Sequence, residues 1–460
     1  MYDKRPKIQK YLAFPEESRD EVPMASGGGS EPSTAKREPE RPAKFEALME
    51  EICERRNLEE ALRRVRANKG APGADGMTVD DLVDHLKQHW PATREQLLKG
   101  DYEPKPVKRV EIPKPDGGVR KLGIPRALDR FIQQAVLQVL QRRWDPTFSA
   151  HSYGFRPGRS AHQAVTAAQR FIAEGYRWVV DLDLEKFFDR VNHDILMGRI
   201  AKRIDDPRLL RLIRAFLNAG VLEDGLVNPT DEGTPQGGPL SPLLSNIVLD
   251  DLDQELIRRG LRYARYADDC NIYVNSRRAG ERVMASVTRF LTIRLKLKVN
   301  EAKSAVARPW ERKFLGFSFT NHRKPKRRIA PKALERFKEK IRELTCRTRG
   351  ISLTQMVTNL SRYLLGWRGY FGACETPSVL QDLDSWIHRR LRAFFWKQWR
   401  RGGNKFAELR KRNVSCDLAA QTAGSCHGPW RISKSPALHI AFPTDFFTSL
   451  GIPRLTPKPA

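Results

Sequence analysis

Apolar residues recur at helical intervals from Phe45 onward, with Leu48, Ile52, Leu58, Leu62 and Val65 on one face. The spacing predicts one amphipathic helix ending at Asn68-Lys69-Gly70-Ala71-Pro72-Gly73, where Gly and Pro force a loop. Before Pro42 there is no such period; the chain is rich in Pro, Glu, Ser, Gly and Lys, and residues 1–43 read as a flexible segment. The period then shortens to two. Alternating runs from Pro106 to Pro113 and from Val119 to Pro125 flank Asp116-Gly117-Gly118, which predicts a β-hairpin with basic residues on both arms. Arg177-Trp178-Val179-Val180-Asp181-Leu182 reads as a strand delivering Asp183 at its end, just before a helical-looking Glu185-Lys186-Phe187-Phe188-Asp189. A second hairpin is predicted around Asp268-Asp269, between Arg265-Tyr266 and Asn271-Ile272-Tyr273-Val274. Helices are expected near Ser160 and after the Gly-rich run Gly233-Thr234-Pro235-Gln236-Gly237-Gly238. From His322 the pattern is almost wholly helical, with Tyr363, Trp367, Tyr370, Phe371 and Trp386 interleaved with Lys and Arg; aromatics at that spacing are chiefly core. No internal repeat is present.

At 460 residues the chain should form two or three domains. Its 83 Lys and Arg against 55 Asp and Glu leave a formal charge of +28, which points to a polyanion partner. No long uninterrupted apolar run and no signal peptide is found, so an intracellular, soluble protein with no membrane partner is expected. The six cysteines lack paired spacing, which argues against a disulfide framework and a Cys-x-x-Cys zinc module. Cys416, Cys426 and His427 group loosely without an evident fourth ligand.

Adjacent aspartates alone say little, because Asp80-Asp81, Asp205-Asp206 and Asp250-Asp251 also occur and such pairs commonly solvate a helix start or loop. A hairpin tip and a third carboxylate, Asp183, distinguish Asp268 and Asp269. Hard oxygen ligands from separate strands suit Mg²⁺ and nucleotidyl transfer. The basic hairpin suits a triphosphate clamp, or else merely a solvated edge that resists aggregation. Ser152-Tyr153-Gly154-Phe155-Arg156 joins aromatics to Arg before a helix, a combination suited to phosphate and base contacts. The Gly-rich run brings backbone close to a ligand, or only makes a tight helix entry.

With these segments in this order, the chain resembles group II intron-encoded reverse transcriptases with maturase activity, of the bacterial IIC-like subgroup without an endonuclease domain. The resemblance runs from about Phe45 onward. Asn68 to Thr78 is similar to the N-terminal extension motif, Lys105 to Val165 to the first fingers blocks, and Val179 to His193 to the first palm block. Thr234 to Asn246, Tyr266-Ala267-Asp268-Asp269, Leu297 to Ser304 and Phe314 to Phe319 follow in the family's order. The resemblance implies an α+β fold: right-hand polymerase fingers and palm with an antiparallel palm sheet over residues 44–321, and an α-helical thumb (domain X) over 322–415. A short DNA-binding-like segment would occupy 416–460. It implies that Asp183, Asp268 and Asp269 bind two Mg²⁺ ions, with Mn²⁺ as a substitute. Lys114, Arg120 and Gln236 would hold the incoming dNTP, Phe188 would exclude the ribose 2′-hydroxyl, and Phe314, Leu315 and Gly316 would lie near the primer end. The implied partners are group II intron RNA, an RNA template with a DNA primer, dNTPs and target DNA. The implied location is the bacterial cytoplasm, with nucleoid association during mobility. A free-standing reverse transcriptase recruited for host defence or repair, and a non-catalytic splicing cofactor, are the alternative readings.

Overall fold

A computed structural model describes residues 47–113, 118–223, 226–228, 232–234, 237–346 and 350–456. The N-terminal amphipathic stretch forms two helices instead of the single one expected, α1 (Leu48–Ile52) and α2 (Arg55–Ala67). The predicted apolar face survives, since Leu48, Ile52, Leu58, Leu62 and Val65 are all buried. The break arises at Glu54, whose backbone is extended (φ −64°, ψ 136°) and begins the second helix. Helix α3 (Asp81–Lys99) ends on Gly100 in the left-handed region (φ 78°). The predicted basic hairpin follows as β1 (Val107–Pro113) and β2 (Val119–Ile124), antiparallel with Ile112 opposite Arg120.

Beyond the hairpin come α4 (Ala127–Trp144), α5 (Ala161–Ala173), β3 (Trp178–Leu182), α6 (His193–Ala201), α7 (Pro207–Asn218), β4 (Val221–Glu223) and β5 (Leu226–Asn228). Next are α8 (Ser241–Arg258), β6 (Arg262–Tyr266), β7 (Asp269–Val274), α9 (Arg277–Arg294), β8 (Ala305–Ala307), β9 (Phe317–Phe319) and β10 (Arg327–Ile329). The helical remainder comprises α10 (Pro331–Leu344), α11 (Leu353–Phe371) and α12 (Pro377–Gln398), then α13 (Gly402–Arg410), α14 (Cys416–Ala423), α15 (Pro429–Ile432), α16 (Pro436–Ala441) and α17 (Thr444–Ser449). One four-stranded sheet has the order β2-β1-β4-β5, another β6-β7-β3-β8, and β9 pairs with β10. The fold is thus mixed helix and sheet, with antiparallel pairing in β1/β2, β4/β5 and β9/β10. The helical look of Glu185 to Asp189 reduces to a single 3₁₀ turn, Phe187–Asp189, because Lys186 before it is left-handed (φ 48°).

The chain divides into two units. The first holds the described residues up to Ser160, with Leu182–Cys270 and Glu281–Ala305. Its helix α4 is buried on nearly every face and binds α2 through polar side chains, with Gln138 Nε2 donating to Asn57 Oδ1 at 2.8 Å. Burying those amides is tolerable because each finds a partner. The second unit holds Ala161–Asp181, Asn271–Gly280 and the chain from Val306. Its core gathers Phe337, Ile341, Met356, Leu360, Trp367 and Leu391 from α10, α11 and α12. Trp367 is core, as its spacing predicts, whereas Trp386 is only half-buried, with the guanidinium groups of Arg342 and Arg390 over its ring.

Candidate active site

Strand β3 ends at Leu182, so Asp183 is the first residue past it. Its backbone is pinned on both sides: Asp183 N donates to Ser304 Oγ at 3.0 Å, and Asn300 N donates to Asp183 O at 2.8 Å. Asp181, two residues earlier, is engaged by Arg312 at 2.6 Å. Strands β6 and β7 are joined by the two-residue turn Ala267-Asp268, with Asp269 opening β7. Ala267 is left-handed (φ 56°), which strains a residue that has a Cβ. Burial pushes the Asp268 carboxyl above the usual carboxylate range, and the nearby Asp183 charge pushes it further; its own backbone N–H, Arg120 and Arg265 pull it back. Two carboxylates from separate strands are therefore close enough to repel.

That arrangement fits a hard divalent cation. The donors are carboxylate oxygens, and a positive ion would relieve both the desolvation and the repulsion at Asp268. Among the described residues no group of three or more His, Cys, Asp or Glu forms a ready metal cage. Cys416 and Cys426 are exposed.

Of the hairpin cations, Arg120 is exposed, and its charge is felt at Asp268. Lys114 and Gln236 lie outside the described residues. Sequence reasoning overlooked Arg109 and Lys121, which line a cavity of about 140 Å³ with Phe188, Gly233 and Thr234. Glu223 holds both cations, Arg109 at 2.8 Å and Lys121 at 3.8 Å, and the Arg109 hydrogen bond keeps its carboxyl below the usual range. Phe188 is half-exposed, stacked edge-on against buried Phe187 at 5.3 Å. Its backbone is gripped from the start of the Gly-rich run, with Thr234 N donating to Phe188 O at 2.6 Å. The glycines of that run answer to close protein neighbours: a Cβ at Gly237 would meet Gly123 O at 2.4 Å, and one at Gly238 would meet Gln133 Oε1 at 2.4 Å.

The Arg156 side chain turns inward. It is buried and spent on Asp145 Oδ1 (2.7 Å) and the carbonyls of Ser149 (2.6 Å) and Ser152 (2.9 Å), which fix the loop before α5. Sequence reasoning also missed the surroundings of Asp268: Gly154, whose Cβ would stand 2.3 Å from Ala267 N, and buried Arg265, Asp253, Asn246 and Ser152. The usable signal was a charged residue at an inward position of β6 and another on the apolar face of α8.

In the second unit, Phe314 and Phe317 exchange two backbone hydrogen bonds (2.8 and 3.0 Å) around Leu315 (φ 52°) and Gly316 (φ 80°), the sign pattern of a type I′ turn. Phe314 is buried, and Leu315 O accepts from Tyr370 Oη at 2.8 Å. Gly316 is required doubly, since a Cβ would come within 3.1 Å of the Phe371 ring.

The family model for reverse transcriptase (RNA-dependent DNA polymerase) matches residues 112–319, and that for the group II intron maturase-specific domain matches residues 334–413. Protein YkfC of Escherichia coli is 34% identical over 61% of this chain and 83% of its own length. The group II intron-encoded protein LtrA of Lactococcus lactis is 40% identical over 45% of this chain, but this match spans only 34% of LtrA. Among solved structures, a partial Cas6-RT-Cas1–Cas2 complex is similar over 54% of this chain and 42% of its own, at 26% identity and TM-score 0.35. Telomerase from Candida albicans is similar over 64% of this chain and 59% of its own, at 13% identity and TM-score 0.40.

Proposed function

The chain belongs to the group II intron-encoded reverse transcriptases, with a polymerase domain followed by a maturase-specific domain, and from that premise we propose that it copies RNA into DNA and binds its intron RNA to assist splicing and mobility. What supports the polymerase reading is the placement of Asp183 just past β3 and of Asp268 in the β6–β7 turn, with the charge of Asp183 acting on the buried Asp268 carboxyl. Asp183, Asp268 and Asp269 would hold divalent metal, taken here as two Mg²⁺ ions with Mn²⁺ able to replace them. When bound, such ions would offset the negative charge of the reacting phosphates and lower the pKa of the primer hydroxyl.

The protein's own groups then position and neutralise. Arg120, on the β1–β2 hairpin with its charge felt at Asp268, would face the triphosphate as a forked donor, and Lys114 and Gln236 would join it. Phe188, backed by Phe187 and held through Thr234, would bar a ribose 2′-hydroxyl and so select dNTPs. The Phe314-Leu315-Gly316 turn, held by Tyr370, would support the primer end. Catalysis on this reading is positioning and electrostatics, with no protein nucleophile.

The template would be RNA, the primer DNA, and target DNA the site of insertion. We place fingers and palm over 44–321, the thumb over 322–415 and a DNA-binding segment over 416–460. The maturase-specific match disfavours a free-standing enzyme of defence or repair, and the carboxylate pair disfavours a non-catalytic cofactor. Among the described residues no helix is long and apolar enough to cross a membrane. The cytoplasm, with nucleoid association during mobility, remains our proposed location. The deciding experiment is Mg²⁺-dependent primer extension on an RNA template, with dNTPs and rNTPs in parallel, comparing the intact protein with Asp268→Asn. Extension lost in the variant supports the reading; a folded, RNA-binding protein that never extends would overturn it.

A further inference from the structure

We infer that Arg265 is a positioning residue for the metal-binding turn, acting through the carbonyl of Ala267. The inference rests on the assignment of Asp268 above. Arg265 has no exposed surface, and a guanidinium in that state is tolerated only when its donors are met. Each of its five N–H groups has an acceptor. Nε donates to Asp253 Oδ1 at 2.8 Å and Nη2 to Asp253 Oδ2 at 2.5 Å; Nη2 also reaches Ser152 Oγ at 2.8 Å. Nη1 donates to Asn246 Oδ1 at 3.0 Å and to Ala267 O at 2.9 Å. One side chain therefore ties helix α8, the loop before α5 and the turn that carries Asp268.

The rest of the cradle runs through the same residues. Arg265 N donates to His151 O at 3.0 Å, Tyr153 N donates to Arg265 O at 2.9 Å, and Asn246 Nδ2 donates to Gly154 O at 2.9 Å. Ala267 sits in the left-handed region, where a non-glycine residue persists only if its surroundings hold it. The Arg265 bond to its carbonyl supplies that hold and sets the direction of the next residue, Asp268. A buried Arg–Asp pair needed only for packing would be replaceable by apolar side chains of similar volume. One that aims a carboxylate would not.

The test separates these roles with Arg265→Met combined with Asp253→Leu, and independently with Arg265→Lys, which keeps the charge but lacks the planar fork. Each is measured for thermal unfolding, for Mn²⁺ affinity by the free-ion paramagnetic signal, and for primer-extension kcat with primer–template Kd. Positioning predicts folded variants whose Mn²⁺ Kd rises and kcat falls by about 10- to 100-fold each, with primer–template Kd unchanged. If either folded variant retains wild-type Mn²⁺ affinity, the inference is overturned. Because Mn²⁺ binding is read without turnover, an intact protein that binds Mn²⁺ but never extends a primer would refute the polymerase reading while still testing Arg265. An intact protein that binds no Mn²⁺ would overturn both.

Discussion

Gly154→Ala probes the turn that carries Asp268 by a perturbation of one methyl group. A Cβ at this position would stand 2.3 Å from Ala267 N and 2.9 Å from the Tyr266 carbonyl carbon, and ordinary contact begins at 3.4 Å. The shorter approach is thus about 1.1 Å too close. Both obstructing atoms are backbone, so no side chain can swing aside. Gly154 is itself held by Asn246 through its carbonyl, which leaves the Tyr266–Ala267 segment to give way. Its φ is not in the left-handed region, so the substitution tests space alone. A displacement near 1 Å at a reacting constellation costs about 100-fold in rate, or about 2.7 kcal/mol of transition-state stabilisation. Crowding should also remove about 1 to 3 kcal/mol of folding stability. The assay is rapid-quench incorporation of one dNTP on an RNA template at saturating nucleotide, with urea unfolding alongside. A folded variant whose kcat stays within about twofold of wild type would refute the argument that Gly154 sets the position of Asp268.

Phe188→Ala should raise rNTP incorporation relative to dNTP by about 10- to 100-fold while dNTP use partly survives; unchanged sugar selectivity would remove Phe188 from that role. His388, stacked on Phe447 at 4.8 Å, has its pKa lowered by burial to about 4, with Asp384 opposing and Arg392 and Arg454 adding to the effect. Its folded value lies below the ordinary 6.5, so its contribution is complete above pH 6.5 and is lost as pH falls toward 4, when the unfolded chain binds the proton first. The loss should reach about 3 kcal/mol and should be smaller in His388→Gln; equal acid sensitivity of the two proteins in urea titrations would discount it. Arg389 lies 3.7 Å over Trp430, and the next residue, Arg390, lies 5.4 Å over Trp386. Replacing Arg389 and Arg390 with Gln should weaken RNA binding and make its dependence on log salt shallower by about two, and an unchanged slope would place RNA elsewhere.

Local pattern determined a good deal here. Alternation around Asp116-Gly117-Gly118 specified the β1–β2 hairpin, because a strand's faces and a turn's backbone angles are set by adjacent residues. The same logic put Asp183 at the end of β3 and Asp268 in a two-residue turn, and acidic residue types are the kind that suit a hard cation. The break at Glu54 was not legible, since one apolar period runs through both helices and only the packing of each decides where the axis bends. Nor could pattern separate Arg120, whose exposed charge reaches Asp268, from Arg156 and Arg265, which look equally basic in the chain yet lie buried. The glycines of the Gly233 to Gly238 run equally suited a ligand or a tight helix entry, and tertiary structure showed Gly123 and Gln133 against them. Sequence by itself determined which residues could do the chemistry and on which local elements they sit. Tertiary structure alone decided what surrounds them, because the closure of Arg265 on Asp253, Asn246, Ser152 and Ala267, and the charge that Asp183 brings to Asp268, depend on how distant elements pack.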